Sequence, residues 1–240
     1  MSLHISNLIG FGASAAGGVV PSFISASTGT TNTAADTLAI NYPSSIQAGD
    51  FIVCAVIGED ANGTTLGDTS IASLTNFSTG FDSVIQGPTG KYSTAVYYKI
   101  ATGSESGTET ATMTNVGGPR SMSGIMYLLR GGQTTGTPIE NGSSSDNAAS
   151  STWNQRSIAT AAAARLAMHV LMSPTSTTTA SFTGESSGDF TEANTYASGN
   201  ATIQLQTAGA PNAVTISGGS MTAGASARYT QTVAALKPAA

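Results

Sequence analysis

A nucleophile needs a base beside it, and this sequence offers only two histidines for that role, His4 and His169. No G-x-S-x-G elbow accompanies either one, and serines are too abundant for any one to stand out. His169 lies in LAMHVLM (166–172), where Leu166, Met168 and Val170 alternate away from it. It is expected to point outward or into a second sheet, as a solvent-facing or hydrogen-bonded histidine. The single thiol, Cys54, sits in the apolar run FIVCAVI (51–57) and reads as a buried, inert residue. One cysteine makes neither an intrachain disulfide nor a cysteine-rich metal site.

Glycoside hydrolysis would need two carboxylates facing each other about 5–10 Å apart. The pairs near in sequence are Glu59/Asp60, Glu105/Glu109 and Asp189/Glu192, all read as solvated acids of turns and strand ends. Asp50, after Gly49, is expected to hold turn amides. Asp60-Ala-Asn62-Gly63 has the start of a calcium loop but lacks the closing bidentate glutamate. GPTGKY (87–92) has the wrong glycine spacing for a phosphate loop. No cofactor and no metal are called for. The segment SSTWNQRS (150–157) carries the only tryptophan, and Trp153 with Arg156 is the candidate for a subunit interface or a glycan contact. The bland reading of Trp153 is a cap on a sandwich edge. Tyr97, Tyr98, Tyr127 and Tyr229 are expected in the core or at its rim.

The elements that must position these residues read as strands. Only 9% of the 240 residues are charged, 40% are hydrophobic, and 67 are Ser or Thr. Such a chain is too apolar to be disordered. Its Thr content suits strands better than helices. A net charge of −5 without a basic stripe argues against nucleic-acid binding. No run approaches the ~18 apolar residues of a membrane helix. The opening MSLHISNLIGFGASAAGGVVP contains Ala13-Ser14-Ala15 but has no Lys or Arg ahead of a short, glycine-rich apolar stretch, so classical secretion is not expected.

Residues 1–20 read as an arm. Leu3, Ile5, Leu8, Ile9 and Phe11 are apolar, while Gly10, Gly12, Gly17 and Gly18 oppose a helix. The arm is expected to dock in a partner's groove or on a sheet edge, or to fold back as a first strand. From residue 22 onward the pattern is strand and turn, with strands expected at 36–42, 51–57, 92–100, 108–116, 122–130, 166–172, 202–206, 213–217 and 226–236. Turn clusters fall at 59–65, 86–91, 117–120, 131–138, 141–151 and 209–212. ATAAAAR (159–165) allows a short helix at 159–164. No fixed-period repeat and no linker is visible. The expectation is an all-β, jelly-roll-like antiparallel β-sandwich of eight to ten strands over 21–240, with an extended N-terminal arm.

Four stretches carry a resemblance: IQAGDFIVCAVIG (46–58), VYYKIATGSESGTETATMTN (96–115), IMYLLRGGQTTGTPIE (125–140) and RYTQTVAALKP (228–238). Together they resemble a β-sandwich module of bacteriophage virion proteins and bacterial surface proteins. Where such modules often carry Pro-Gly-Trp, this chain has LTNFSTGFDSV (74–84). The opening NLIGFGASAAGG is similar to the N-terminal arms of phage particle proteins. The resemblance implies a non-enzymatic structural protein of the virion, assembled in the host cytoplasm. It would be a capsid decoration or cement protein or part of a fibre, its partners other virion proteins and its own copies, by analogy as a homotrimer. The alternatives are a carbohydrate- or receptor-binding module on a tail or fibre, which would contact host-surface glycans, and a secreted adhesin. Neither nucleic acid nor membrane is expected as a partner.

Overall fold

The computed structural model describes residues 18–33, 35–60, 71, 74, 77–86, 91–113, 120–174, 183–186, 190–198 and 201–239. The described residues are all-β and contain no helix. The first half supplies β1 (Ser22–Ala26), β2 (Thr30–Asn32), β3 (Thr37–Asn41), β4 (Phe51–Asp60), β5 (Ser78–Gln86), β6 (Lys91–Ile100), β7 (Thr108–Thr112) and β8 (Arg120–Arg130). β4 is apolar at successive residues, as a strand covered on both faces must be. It lies at the centre of a six-stranded antiparallel sheet of order β1-β8-β4-β6-β5, with β2 also paired to β8. β3 and β7 pair with each other outside that sheet.

The second half supplies β9 (Ile139–Asn154), β10 (Ile158–Ala159), β11 (Arg165–Ser173), β12 (Thr183–Ser186), β13 (Thr191–Ser198), β14 (Ala201–Ala210), β15 (Thr215–Ile216) and β16 (Ser220–Leu236). Its sheet runs β12-β16-β11-β14-β13, with β9 also paired to β16, and β10 pairs β15 outside it. Sheet membership therefore follows chain order, a simpler connectivity than the interleaved strands of a jelly roll.

The two halves have one topology. β9 stands where β1 and β2 stand, β16 where β8 does, and β11, β14 and β13 match β4, β6 and β5. The outer pair β10–β15 matches β3–β7, and β12 has no counterpart among the described residues. The pairing carries the match to single residues. Phe51 faces Ile100 and Leu129, as Leu166 faces Gly209 and Leu236. A register shift between Thr79 and Phe81 opposite β6 recurs between Glu192 and Asn194 opposite β14, at the equivalent ladder position. The duplication is one of topology and not a fixed-period repeat in the sequence. Phe51–Ile57 and Leu166–Met172 share no residue at matched positions, because a strand's place depends on the alternation of apolar side chains, which many sequences satisfy.

The halves meet through equivalent faces. Phe51, Val53, Ala55 and Ile57 of β4 and Tyr127 and Leu129 of β8 pack against Leu166, Met168, Val170 and Met172 of β11 and Ile203 and Leu205 of β14. This is the arrangement of a two-fold contact built within one chain. The sides close reciprocally: β5 packs on β9, and Tyr196 of β13 meets Thr31 of β2, hydroxyl to hydroxyl at 2.7 Å. Each outer face has its own cover. Leu38, Ile40, Ala111 and Met113 lie on Ile52, Cys54, Val56 and Met126, and Ile158 and Ile216 lie on Ala167, Val233 and Ala235.

Three local expectations are corrected. Residues 141–151 are not a turn cluster but the middle of β9, whose Ser, Asn and Ala side chains are half-buried or exposed and whose hold on the sheet is the ladder to β16. Strands β5 and β13 form where none was expected, as the outermost strands on the β6 and β14 sides. The alanine-rich 159–164 is not a helix. Thr160 bonds across to Val214 (2.9 Å), and Ala164 turns the chain with φ 58° into β11.

Candidate functional site

Strand alternation puts Ala167, His169 and Leu171 of β11 on the outer face of the second sheet, with Gln204 and Gln206 of β14 and Gln231 and Val233 of β16 beside them. His169 is fully buried there. Its Nδ1 lies 3.2 Å from Gln206 Oε1 and its Nε2 lies 3.0 Å from Gln231 Oε1. The Phe190 ring tilts over the imidazole at 5.4 Å.

Both glutamines are held by further bonds. Gln231 Oε1 accepts the backbone N–H of Arg156 at 3.0 Å, and its Nε2 donates to Asn147 Oδ1 at 3.3 Å. Gln206 Oε1 accepts from Gln155 Nε2, while Gln155 Oε1 accepts the Gly219 N–H at 2.7 Å. Gln206 Nε2 points to Met221 Sδ at 3.4 Å. Burial lowers the His169 pKa and outweighs the two amide oxygens, which raise it; the Arg156 charge lowers it further. Chemically, the arrangement can keep or take up a proton. Both ring nitrogens are engaged by amides rather than by a hydroxyl or carboxylate, so His169 is placed as a hydrogen-bonded core histidine.

Trp153 and Arg156 border this network. The Trp153 indole is fully buried, stacks on Tyr229 at 4.7 Å and donates its N–H to Ser150 O at 2.8 Å. Tyr229 Oη in turn accepts the Asn154 N–H at 3.0 Å. This corrects the reading of Trp153 as a glycan or interface contact: an indole sealed against a tyrosine and its own strand has no face left for a sugar. The cap reading is the one that describes it. Arg156 is exposed, and its Nη1 donates to Ser144 O at 3.3 Å. Leu3, Ile5, Leu8, Ile9 and Phe11 lie outside the described residues, as do His4, Asn62, Gly63, residues 87–90 and Asp189.

Two acidic sites are more enclosed than solvated turn acids. Asp50 accepts the Gln47 N–H at 2.8 Å, as expected, and also takes a two-pronged bond from Arg130, Nε to Oδ1 and Nη2 to Oδ2 at 2.7 Å each. Burial raises its pKa, but Arg130 and the Gln47 amide bring it below the ordinary value. Glu105 accepts the N–H groups of Thr102 (2.8 Å) and Gly103 (2.9 Å) and pairs with Lys99 Nζ (3.0 Å). Lys99 lies over the rings of Tyr42 and Phe77. Burial pushes the Glu105 carboxyl up, yet the amides and the ammonium outweigh it and hold the pKa down to about 2. A carboxylate whose folded pKa lies below the unfolded ~4.3 adds stability above that pH and loses it on acidification. Glu105→Gln is therefore expected to melt lower than the parent at pH 7, with the gap closing between about pH 4 and 2. Thermal melts at both pH values check this, and an unchanged gap would refute it.

The glutamines and Asn147 escaped the sequence reading. The signal available was amides at alternate positions of otherwise apolar strands, TIQLQT (202–207) and YTQTVAAL (229–236). Among the described residues, no group of three or more His, Cys, Asp and Glu stands together to hold a metal ion, and no helix is long and apolar enough to cross a membrane. No family model matches the chain, and no curated protein and no solved structure matches it either.

Proposed function

We propose that the chain is a non-enzymatic structural protein of a bacteriophage particle, decorating or cementing the capsid or forming part of a fibre, and fastened through its N-terminal arm. The observation that supports this best is the covering of both sheets on their inner and outer faces by the chain's own residues. A body sealed in that way resists deformation. Its bonded acids, Asp50 and Glu105, are turned into its own loops. Where the arm joins the body, Gly18 sits against Pro238 and Ala239, and Val20 packs at the margin of the inter-sheet core. A pull on residues 1–17 would pass directly into that core. A homotrimer is the proposed assembly, resting on the resemblance to virion proteins, and sedimentation equilibrium is its check.

For the glycan-binding alternative, Trp153 offers no exposed ring, since it is enclosed. The large hydrophobic side chains exposed among the described residues are Val19, Ile24 and Val214.

The test compares the full chain with one lacking residues 2–18. Circular dichroism and thermal melting establish that both bodies fold. Both are then mixed with particles stripped of the protein and sedimented. Five apolar arm residues at about 1.5–3 kcal/mol of burial each would supply most of the attachment. Deletion is expected to weaken retention at least about 100-fold, about 2.8 kcal/mol. Normal retention of the folded, truncated chain would overturn the arm reading, and absence of the protein from particles would overturn the virion reading.

A further inference from the structure

The network around His169 has one acceptor too many. A neutral imidazole has one N–H to give and one lone pair to receive, yet both of its nitrogens face glutamine oxygens. Turning either amide does not repair this. Rotating Gln231 would set its NH2 against the Arg156 N–H, and rotating Gln206 would set its NH2 against that of Gln155, which Gly219 holds in place. With His169 neutral, the site is one hydrogen bond short.

The sister half shows that the fold does not require this polarity. The positions equivalent to His169, Gln206 and Gln231 are Cys54, Tyr97 and Gly124. There the space is filled by apolar cover. A Cβ on Gly124 would lie 2.7 Å from Ile40 Cδ1 and 3.0 Å from Leu38 Cδ2. The covers differ as well: β3–β7 pairs five residues on each strand, β10–β15 only two. Beside its ladder, the shorter flap is held by the apolar contacts of Ile158 and Ile216 with the sheet and by the network. Gln155 and Arg156 bond down to Gln206 and Gln231. Across the flap, the Gln155 N–H bonds Gly219 O at 2.9 Å and the Gly218 N–H bonds Ser157 Oγ at 3.0 Å.

We propose that this network is an acid-operated latch: neutral His169 keeps the flap formed by residues 155–159 and 215–219 seated on the second sheet, and uptake of one proton by His169 unseats it. The reason is solvation. An imidazolium would give an N–H to each glutamine oxygen, but at a fully buried position two amide oxygens do not make up for the water that a charge loses. A closed flap would seal an imidazolium in a dry site with no carboxylate on either ring nitrogen, whereas an opened flap lets water reach the charge. The other charged and titratable groups described around the site do not offset this, and Asp189, next to Phe190, lies outside the described residues. Arg156 on the flap repels the proton. Glu192 on β13 is committed to Gln204 Nε2 (2.9 Å) and Thr195 Oγ1 (2.8 Å). Glu140 of β9 is paired with Arg165 (3.0 Å) at the start of β11. Tyr229 of β16 is stacked under Trp153. Phe190 and Met221 bring no charge, and the side chains of Asp146 and Glu185 lie outside those described.

The latch carries its own reporter, since Trp153 is the only tryptophan and lies two residues before Gln155. On lowering the pH of the full chain from 8 to 4.5, Trp153 emission is expected to shift to the red, reversibly. The midpoint should fall below the ordinary histidine value of about 6.5, with the far-ultraviolet dichroism of the sheets retained. The transition is expected to vanish in His169→Leu and in His169→Cys, the latter placing the first half's residue at the equivalent site. Its persistence in either folded variant overturns the latch, as does a flat emission trace in the parent. If neither variant folds, NMR of the parent with His4→Gln decides. A lowered His169 ring titration that moves the Arg156 and Gly218 amides supports the latch. A ring titrating at or above the ordinary value, or one that leaves those amides unmoved, overturns it. The outcome is independent of whether the arm attaches to a particle.

Discussion

Phe51→Ala is expected to reduce the free energy of unfolding by about 3–5 kcal/mol. Phe51 is fully buried on β4, the middle strand of its sheet, and stacks on Tyr98 at 5.2 Å with the planes 21° apart. It belongs to the core through which the two halves of the chain hold each other. The hole left by the ring has little prospect of collapsing, because β4 is tied on both sides by full-length ladders to β6 and β8. A whole domain is stable by only about 5–15 kcal/mol, so this one change removes a large share. Urea unfolding of parent and variant measures it. Phe51→Leu, which puts at this position the residue type of the equivalent Leu166, should recover much of the loss. A cost below about 1 kcal/mol for alanine would mean that the two sheets do not pack as described.

Trp153→Ala should cost about as much, again about 3–5 kcal/mol. The indole is enclosed, contributes its stack on Tyr229 and donates its N–H to Ser150 O. The stack seals one end of the second sheet's outer cover together with Leu171, Met221 and Ala223. Trp153→Phe separates the two contributions: it keeps a ring against Tyr229 and gives up the N–H bond, for an expected loss of about 1 kcal/mol on that account. Near-neutral behaviour of Trp153→Ala would return the indole to the surface and with it the glycan or interface reading. Both measurements are of unfolding alone, so they stand whatever the particle experiment shows.

The residues by themselves settle much of the class of fold. A run such as Phe51–Ile57, apolar at every position, calls for a strand covered on two faces, and the alternation through Leu166–Met172 calls for another. Low charge and many Thr residues left little room for helices, and even Thr160–Ala164, a helical composition, yielded to bonds across to Val214 and Pro211. The role of Asp50 as a holder of turn amides was also legible, because Gly-Asp before a strand carries its own local chemistry.

Tertiary structure alone decided the rest. The polar β9 has no apolar rhythm; it is a strand because β16 offers it a ladder. The doubling of one topology lies in pairing partners and a shared register shift, neither of which requires like residues at like places. His169 is joined to Gln206 and Gln231, 37 and 62 positions along the chain. Such distant side chains are brought together by sheet register, which is set cooperatively by every pair in the ladder. Local composition therefore announces that a position is a strand and which side is apolar. What stands beside a buried histidine, and whether a tryptophan is sealed or open, depends on which strands become neighbours.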